Sequence, residues 1–61
     1  MDQKVRKQIL SIRGTGLTNM FDIQMVQRIA FDSGYYELVT FLEDFREEYI
    51  QFILHGDGEN A

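Results

Sequence analysis

The chain has 61 residues, no cysteine, no proline, a single histidine and a net charge of −4. These counts exclude disulfides, thiolate chemistry, cysteine-ligated metal centres and a multi-histidine metal site within one chain. The acidic balance argues against gripping a phosphate backbone with the whole surface, so direct nucleic-acid binding is not expected. A chain this short buries only about 60% of its unfolded surface. With 44% hydrophobic residues and eight aromatic rings, self-association as a homodimer is one expected remedy.

No apolar run reaches the ~20 residues of a bilayer span. The start, Met1-Asp2-Gln3-Lys4-Val5, is too charged for a secretory signal, so a cytoplasmic location is expected. Glycines at positions 14, 16, 34, 56 and 58 divide the chain into three helical segments and a tail.

The first segment spans about Asp2 to Arg13. Val5, Ile9 and Ile12 fall at i, i+4 and i+7, one stripe of an amphipathic helix. Asp2 and Arg13 suit the two ends of the helix dipole, and Gly14 stands where a glycine ends a helix. A loop from Gly14 to Phe21 leads to Asp22, the expected N-cap of a second helix. Phe21 and Val26 are placed for a hydrophobic staple across that cap, and this helix ends before Gly34.

The third segment runs from about Tyr35 to His55 and is expected to be one long helix. Leu38, Leu42, Phe45, Tyr49 and Phe52 follow alternating four- and three-residue steps. At about 100° per residue, Tyr35, Val39, Ile50 and Ile53 make a second apolar row beside that seam. Glu37, Asp44, Glu47, Glu48 and Gln51 occupy the opposite face. The apolar arc is wider than the ~100° stripe of a surface helix, so either a dimer or a partner covers it or helices one and two wrap it from two sides. A break near Glu43-Asp44 is the alternative to a continuous rod. The polar, glycine-rich tail, residues 56–61, is expected to be disordered.

Three places are candidates for binding. Arg13-Gly14-Thr15-Gly16 with Thr18-Asn19 precedes a helix N-terminus, an arrangement that can present N–H groups and hydroxyls to a small anionic ligand. It matches neither the phosphate loop nor the dinucleotide fingerprint, and an ordered interhelical loop is the simpler reading. Arg46 falls inside the apolar sector of the third helix. A charge there must be paired, with Asp22 or Asp32 as the expected partner, or it anchors an anionic ligand or partner. Tyr36 lies at the edge of the polar face, where an exposed tyrosine can anchor an interface.

Enzymatic readings lack parts. His55 has no nucleophile or carboxylate at a recognisable spacing, and the carboxylates Glu43, Asp44, Glu47 and Glu48 line a solvated face where nothing raises a pKa. No enzymatic activity, metal or cofactor is expected. Ala30 and Gly34 reproduce the alanine-to-glycine spacing of a helix-turn-helix. However, the following helix would offer Glu37, Glu43 and Asp44 to phosphates, and Thr40 falls where that motif buries a hydrophobe.

The start Val5-x-x-x-Ile9-x-x-Ile12-Arg13 and the block Gly16-Leu17-Thr18-Asn19-Met20-Phe21-Asp22 are joined by Val26-Gln27-x-Ile29-Ala30, Tyr36-Glu37-Leu38-Val39 and Phe52-Ile53-Leu54-x-Gly56. This pattern resembles a family of uncharacterised proteins of similar length from Firmicutes and their phages and prophages, classed as a domain of unknown function. The resemblance covers nearly the whole chain. It implies a small, phage- or prophage-borne protein of the host bacterial cytoplasm, with no assigned activity, ligand or functional residue.

The sequence thus predicts an all-α, three-helix domain over residues 1–55, two shorter helices packed on a long C-terminal one. The expected core is Ile9, Ile12, Phe21, Val26, Ala30, Leu38, Leu42, Phe45, Tyr49 and Phe52. The expected role is that of a small interaction protein that docks on a protein partner or on itself. The alternatives are a nucleotide or phosphoanion binder using the glycine loop with Arg13 and Arg46, and an acidic decoy that blocks a nucleic-acid site on another protein.

Overall fold

A computed structural model of the chain describes residues 1–55; the expectation of a disordered tail falls on residues 56–61, outside the described residues. Four helices of similar length follow one another: α1 (Gln3–Thr15), α2 (Ile23–Asp32), α3 (Tyr36–Asp44) and α4 (Arg46–His55). The class is all-α as expected, but the three-helix arrangement with one long C-terminal rod is wrong.

The rod breaks at Phe45, whose backbone (φ −132°, ψ 46°) leaves the helical region. The break falls beside the acidic run. In a continuous helix Glu43 and Glu47, and Asp44 and Glu48, would stand four residues apart, a like-charge spacing that destabilises a helix. The break instead puts Glu47 and Glu48 in the first turn of α4, where the helix dipole favours negative charge. Because α4 restarts the count, the helical wheel drawn across residues 35–55 loses its phase after Phe45. Arg46, expected inside an apolar sector, is exposed at the first position of α4, and neither Asp22 nor Asp32 pairs with it.

α1 begins at Asp2, whose carboxylate accepts from the Lys4 N–H at 2.9 Å and so satisfies a free donor of the first turn. The helix passes through Gly14 and ends at Gly16, two residues later than expected, where the backbone turns left-handed (φ 67°), a conformation glycine adopts without a Cβ penalty. α2 begins at Asp22, which accepts from the Met25 N–H at 3.2 Å, the expected cap. It ends in a Schellman arrangement: Tyr35 N–H donates to the Ala30 carbonyl at 2.7 Å and Gly34 N–H to Phe31 at 3.1 Å, with Gly34 at φ 80°.

Two buried polar side chains, Gln8 and Tyr49, tie elements together across the domain. Tyr35 gives α3 no side-chain cap. Buried Gln8 of α1 supplies one from outside: its Oε1 accepts from the Leu38 N–H at 3.1 Å, and its Nε2 donates to Glu37 Oε1 at 3.0 Å. That amide bond, then the backbone around Glu37 and the nearby Lys4 ammonium, hold the Glu37 carboxyl below the usual carboxylate range. At the other end of the domain, the Tyr49 hydroxyl of α4 donates to the Met20 carbonyl in the α1–α2 loop at 2.6 Å. An ion pair between the N-terminal ammonium and Glu48, at 3.2 Å, joins the start of α1 to α4.

The core is Val5, Ile9, Ile12, Val26, Ala30, Leu38, Leu42 and Tyr49. Of the expected core, Phe21 and Phe45 are exposed (48% and 55%), and Phe52 is only partly buried against it. Phe21 stands before the helix start that Asp22 caps; Phe45 is turned out by the break and rests on Phe41, ring centroids 5.6 Å apart.

Three stability measurements follow. Gln8→Ala strips the α3 start of its cap and strands a buried N–H, so it should cost about 1–3 kcal/mol in urea unfolding; an unchanged midpoint would remove the trans-cap. Leu42→Ala should cost about 2–5 kcal/mol, whereas Phe45→Ala should cost about 1 kcal/mol or less. Equal losses in the two melts would place Phe45 back in the core. Burial pushes the Tyr49 hydroxyl up to about 12, against ~10 in the unfolded chain. Folding therefore holds this proton more tightly, and the stabilisation is complete below about pH 10 and is lost as pH rises toward 12. Tyr49→Phe should cost about 1 kcal/mol at pH 8, and its deficit should shrink at pH 11; a deficit constant with pH would contradict the buried phenol.

Candidate functional site

The glycine segment that the sequence offered as an anion loop is helix. Arg13, Gly14 and Thr15 are the last turn of α1. The Thr15 hydroxyl donates to the Ile12 carbonyl at 2.6 Å and accepts from the Leu17 N–H at 3.2 Å, which closes the helix end. Thr18 is half-buried. Asn19 builds a turn: its Oδ1 accepts from the Phe21 N–H at 2.8 Å and its carbonyl from the Asp22 N–H at 2.9 Å. At the start of α2 the Asp22 carboxylate takes the Met25 N–H and puts a negative charge where an anion would sit. Gly16 caps the helix through its own N–H, which donates to Arg13 O at 3.3 Å. Thr15, Gly16, Asn19 and Asp22 are thus engaged in closing α1, turning the loop and capping α2.

Arg46 and Tyr36 lie on different elements, α4 and α3, and are not brought together with that loop. Tyr36, however, meets Phe31 of α2 edge to face, ring centroids 5.7 Å apart and planes at 64°. Phe31 is 60% exposed and Tyr36 58%. Such T-shaped pairs are favoured by the ring quadrupoles, yet here most of both rings stays in water. Tyr35, the neighbouring ring, is half-buried and hydrogen-bonded to Ser11 at 3.0 Å, since residues ~100° apart on a helix cannot both face the core.

Phe31 also lines an open groove of about 530 Å³ between α2 and α3. Val39 forms its apolar floor with Phe31, and Gln27 crosses it: the Gln27 Nε2 donates to the Val39 carbonyl at 3.0 Å and to Glu43 Oε2 at 2.9 Å. Arg28 and Asp32 stand on the α2 bank and Glu43 on the α3 bank. Among the described residues Arg28 forms no ion pair, although Asp32 lies one turn beyond it. The order Arg before Asp is the weaker orientation for a pair at this spacing.

The sequence reading singled out Tyr36 but missed Phe31, Arg28 and Gln27. The signal was present for Phe31: Val26 and Ala30 define the buried stripe of α2, and an aromatic one position past Ala30 falls off that stripe. Nothing in the sequence alone shows that Gln27 reaches α3. Among the described residues no group of His, Asp and Glu is arranged to hold a metal ion, and no helix is long and apolar enough to cross a membrane.

Comparison with curated proteins and with solved structures finds no match. A family model described as a domain of unknown function (DUF5049) matches residues 1–57. The chain, nearly all of it one such domain, therefore belongs to that family.

Proposed function

We propose that this domain is a non-enzymatic docking module that engages protein through the groove between α2 and α3, with Phe31 and Tyr36 as its anchors. The observation that carries this reading is the aromatic pair itself: two rings in mutual contact, each more than half exposed, beside a groove with an apolar floor and polar banks. Aromatic residues of this kind dominate binding energy at interfaces, because they hide large apolar area at low entropic cost. A polar rim around an apolar centre is also the usual anatomy of an interface.

The chemistry of the remaining groups supports a role without catalysis. His55 is exposed and bonded to Gln51, and the Ser11 hydroxyl is paired with Tyr35. Neither stands beside a base or nucleophile that the other could activate. The anion-binding alternative draws little support from a segment whose Thr15 hydroxyl and Gly16 N–H are engaged in ending α1. A cytoplasmic setting in a bacterial host, carried there by a phage or prophage, accords with the kinship pattern noted in the sequence and belongs to the same proposal.

A photo-crosslinking residue, p-benzoylphenylalanine, placed at position 31 or 36 in cells should give discrete covalent protein adducts. The same group at Leu17 or Leu54, both exposed and neither lining the groove, should not. Equal labelling from all four positions would overturn the groove as the docking face.

A further inference from the structure

We infer that the solvent face of α1 is a docking surface for the phosphate backbone of duplex DNA, a second face that does not rest on the groove reading above. The observation behind it is a segregation of charge. Four of the six basic residues, Lys4, Arg6, Lys7 and Arg13, lie on α1, and no carboxylate does. α3 and α4 hold five of the ten acidic residues against the single cation of Arg46. The net charge of −4 argues against gripping phosphate with the whole surface. A local contact, however, is governed by charges within a Debye length, ~10 Å at 0.1 M salt, and along α1 those charges are positive.

Val5, Gln8, Ile9 and Ile12 are the buried side of α1. At about 100° per residue, Arg6 and Arg13 fall on one edge of the outward face and Lys4 and Lys7 on the other, with Gln3, Leu10 and Gly14 between them. Lys4, Lys7 and Arg13 are exposed and Arg6 is half-buried. Among the described residues Lys7 and Arg13 form no ion pair. Lys4 meets Glu37 at 3.4 Å, an exposed pair of the kind that contributes little and can yield to phosphate. Nothing stands within 4 Å of where a Cβ on Gly14 would be, so the helix surface is open between the two edges. Two cationic edges about a neutral midline match the two phosphate rows that border the ~12 Å major groove of B-DNA, which admits an α-helix. The narrow major groove of duplex RNA does not.

The same face fits other anionic partners less well. No aromatic ring stands on α1, so the unstacked bases of a single strand find no platform there. Val5, Ile9 and Ile12 are spent in the core, which leaves half-buried Leu10 as the one apolar side chain on the outer face. That is too little to enter a lipid surface or to form the apolar centre of a protein interface. A polar, cation-rich contact is instead the anatomy of a protein–DNA interface. Its contacts go to phosphate, which carries no sequence information, so the binding is weak and independent of base sequence.

The test is fluorescence anisotropy of a labelled, mixed-sequence DNA duplex of about 20 base pairs, titrated with the full chain at about 50 mM and about 150 mM salt. Lys7→Glu and Arg13→Glu are compared with Arg46→Glu, which makes the same change in net charge on α4. Circular dichroism confirms the fold of each, and the milder Lys7→Gln and Arg13→Gln serve where a charge reversal unfolds the domain. The expected result is duplex binding that falls about tenfold between the two salts and that each α1 reversal weakens about fivefold or more, while Arg46→Glu changes it by less than about twofold. No duplex binding at the lower salt, or an equal loss from Arg46→Glu, overturns the inference. So does tighter binding of a DNA single strand, duplex RNA, polyglutamate or anionic lipid vesicles than of the DNA duplex. Crosslinking from position 31 is read independently of these titrations, so the groove reading stands or falls by itself.

Discussion

The fold depends on one buried amide. Gln8 sits on the apolar stripe of α1, where a hydrophobe would be expected, and its side chain closes the open start of α3 twenty-nine to thirty residues later in the chain. Without it, Leu38 would bring a backbone N–H into the core with no acceptor, a loss comparable to a whole hydrogen bond. With it, α1 and α3 are held in one register. The apolar side chains of both helices then meet Val26 and Ala30 of α2 in a single cluster. A polar group in so small a core is tolerable because both ends of the amide are engaged.

Tyr49 has the corresponding role for α4. Its ring is buried among the side chains of the other helices, and its hydroxyl reaches the loop between α1 and α2. α4 would otherwise be attached mainly through the short Phe45 junction, and its remaining apolar residues, Ile50, Phe52 and Ile53, are only partly covered. Tyr49 is buried, as an unbroken helix would also have it, although the helix breaks at Phe45. The break leaves Phe45 itself outside the core and adds an aromatic ring to the surface.

The groove is a consequence of this packing. α2 and α3 are joined by a two-hydrogen-bond helix stop at Ser33–Tyr35, which brings Phe31 and Tyr36 together on either side of the turn. Gln27 then ties α2 to the far part of α3. The banks of the groove are thus positioned by bonds within the pair of helices. Two exposed rings, and Arg28 without an ion pair among the described residues, are left at this surface.

Local chemistry alone was enough to read the helical class, the caps at Asp2 and Asp22, the stop at Gly34 and most of the core, because capping, glycine conformation and the 3.6-residue period act over a few neighbours. It also placed Tyr36 at an exposed edge. It misjudged Phe45 and Arg46 because a helical wheel is valid only while the helix continues, and this one breaks at Phe45; Phe21, outside that segment, was expected in the core and is exposed. It took Gly14 as a terminus because a glycine late in a helix looks like one, whereas Thr15 and Gly16 together close α1. The trans-cap from Gln8, the pairing of Phe31 with Tyr36 and the reach of Gln27 to α3 join residues from different helices. Only the tertiary structure decides these, since no periodicity along the chain records which side chains from different helices will meet.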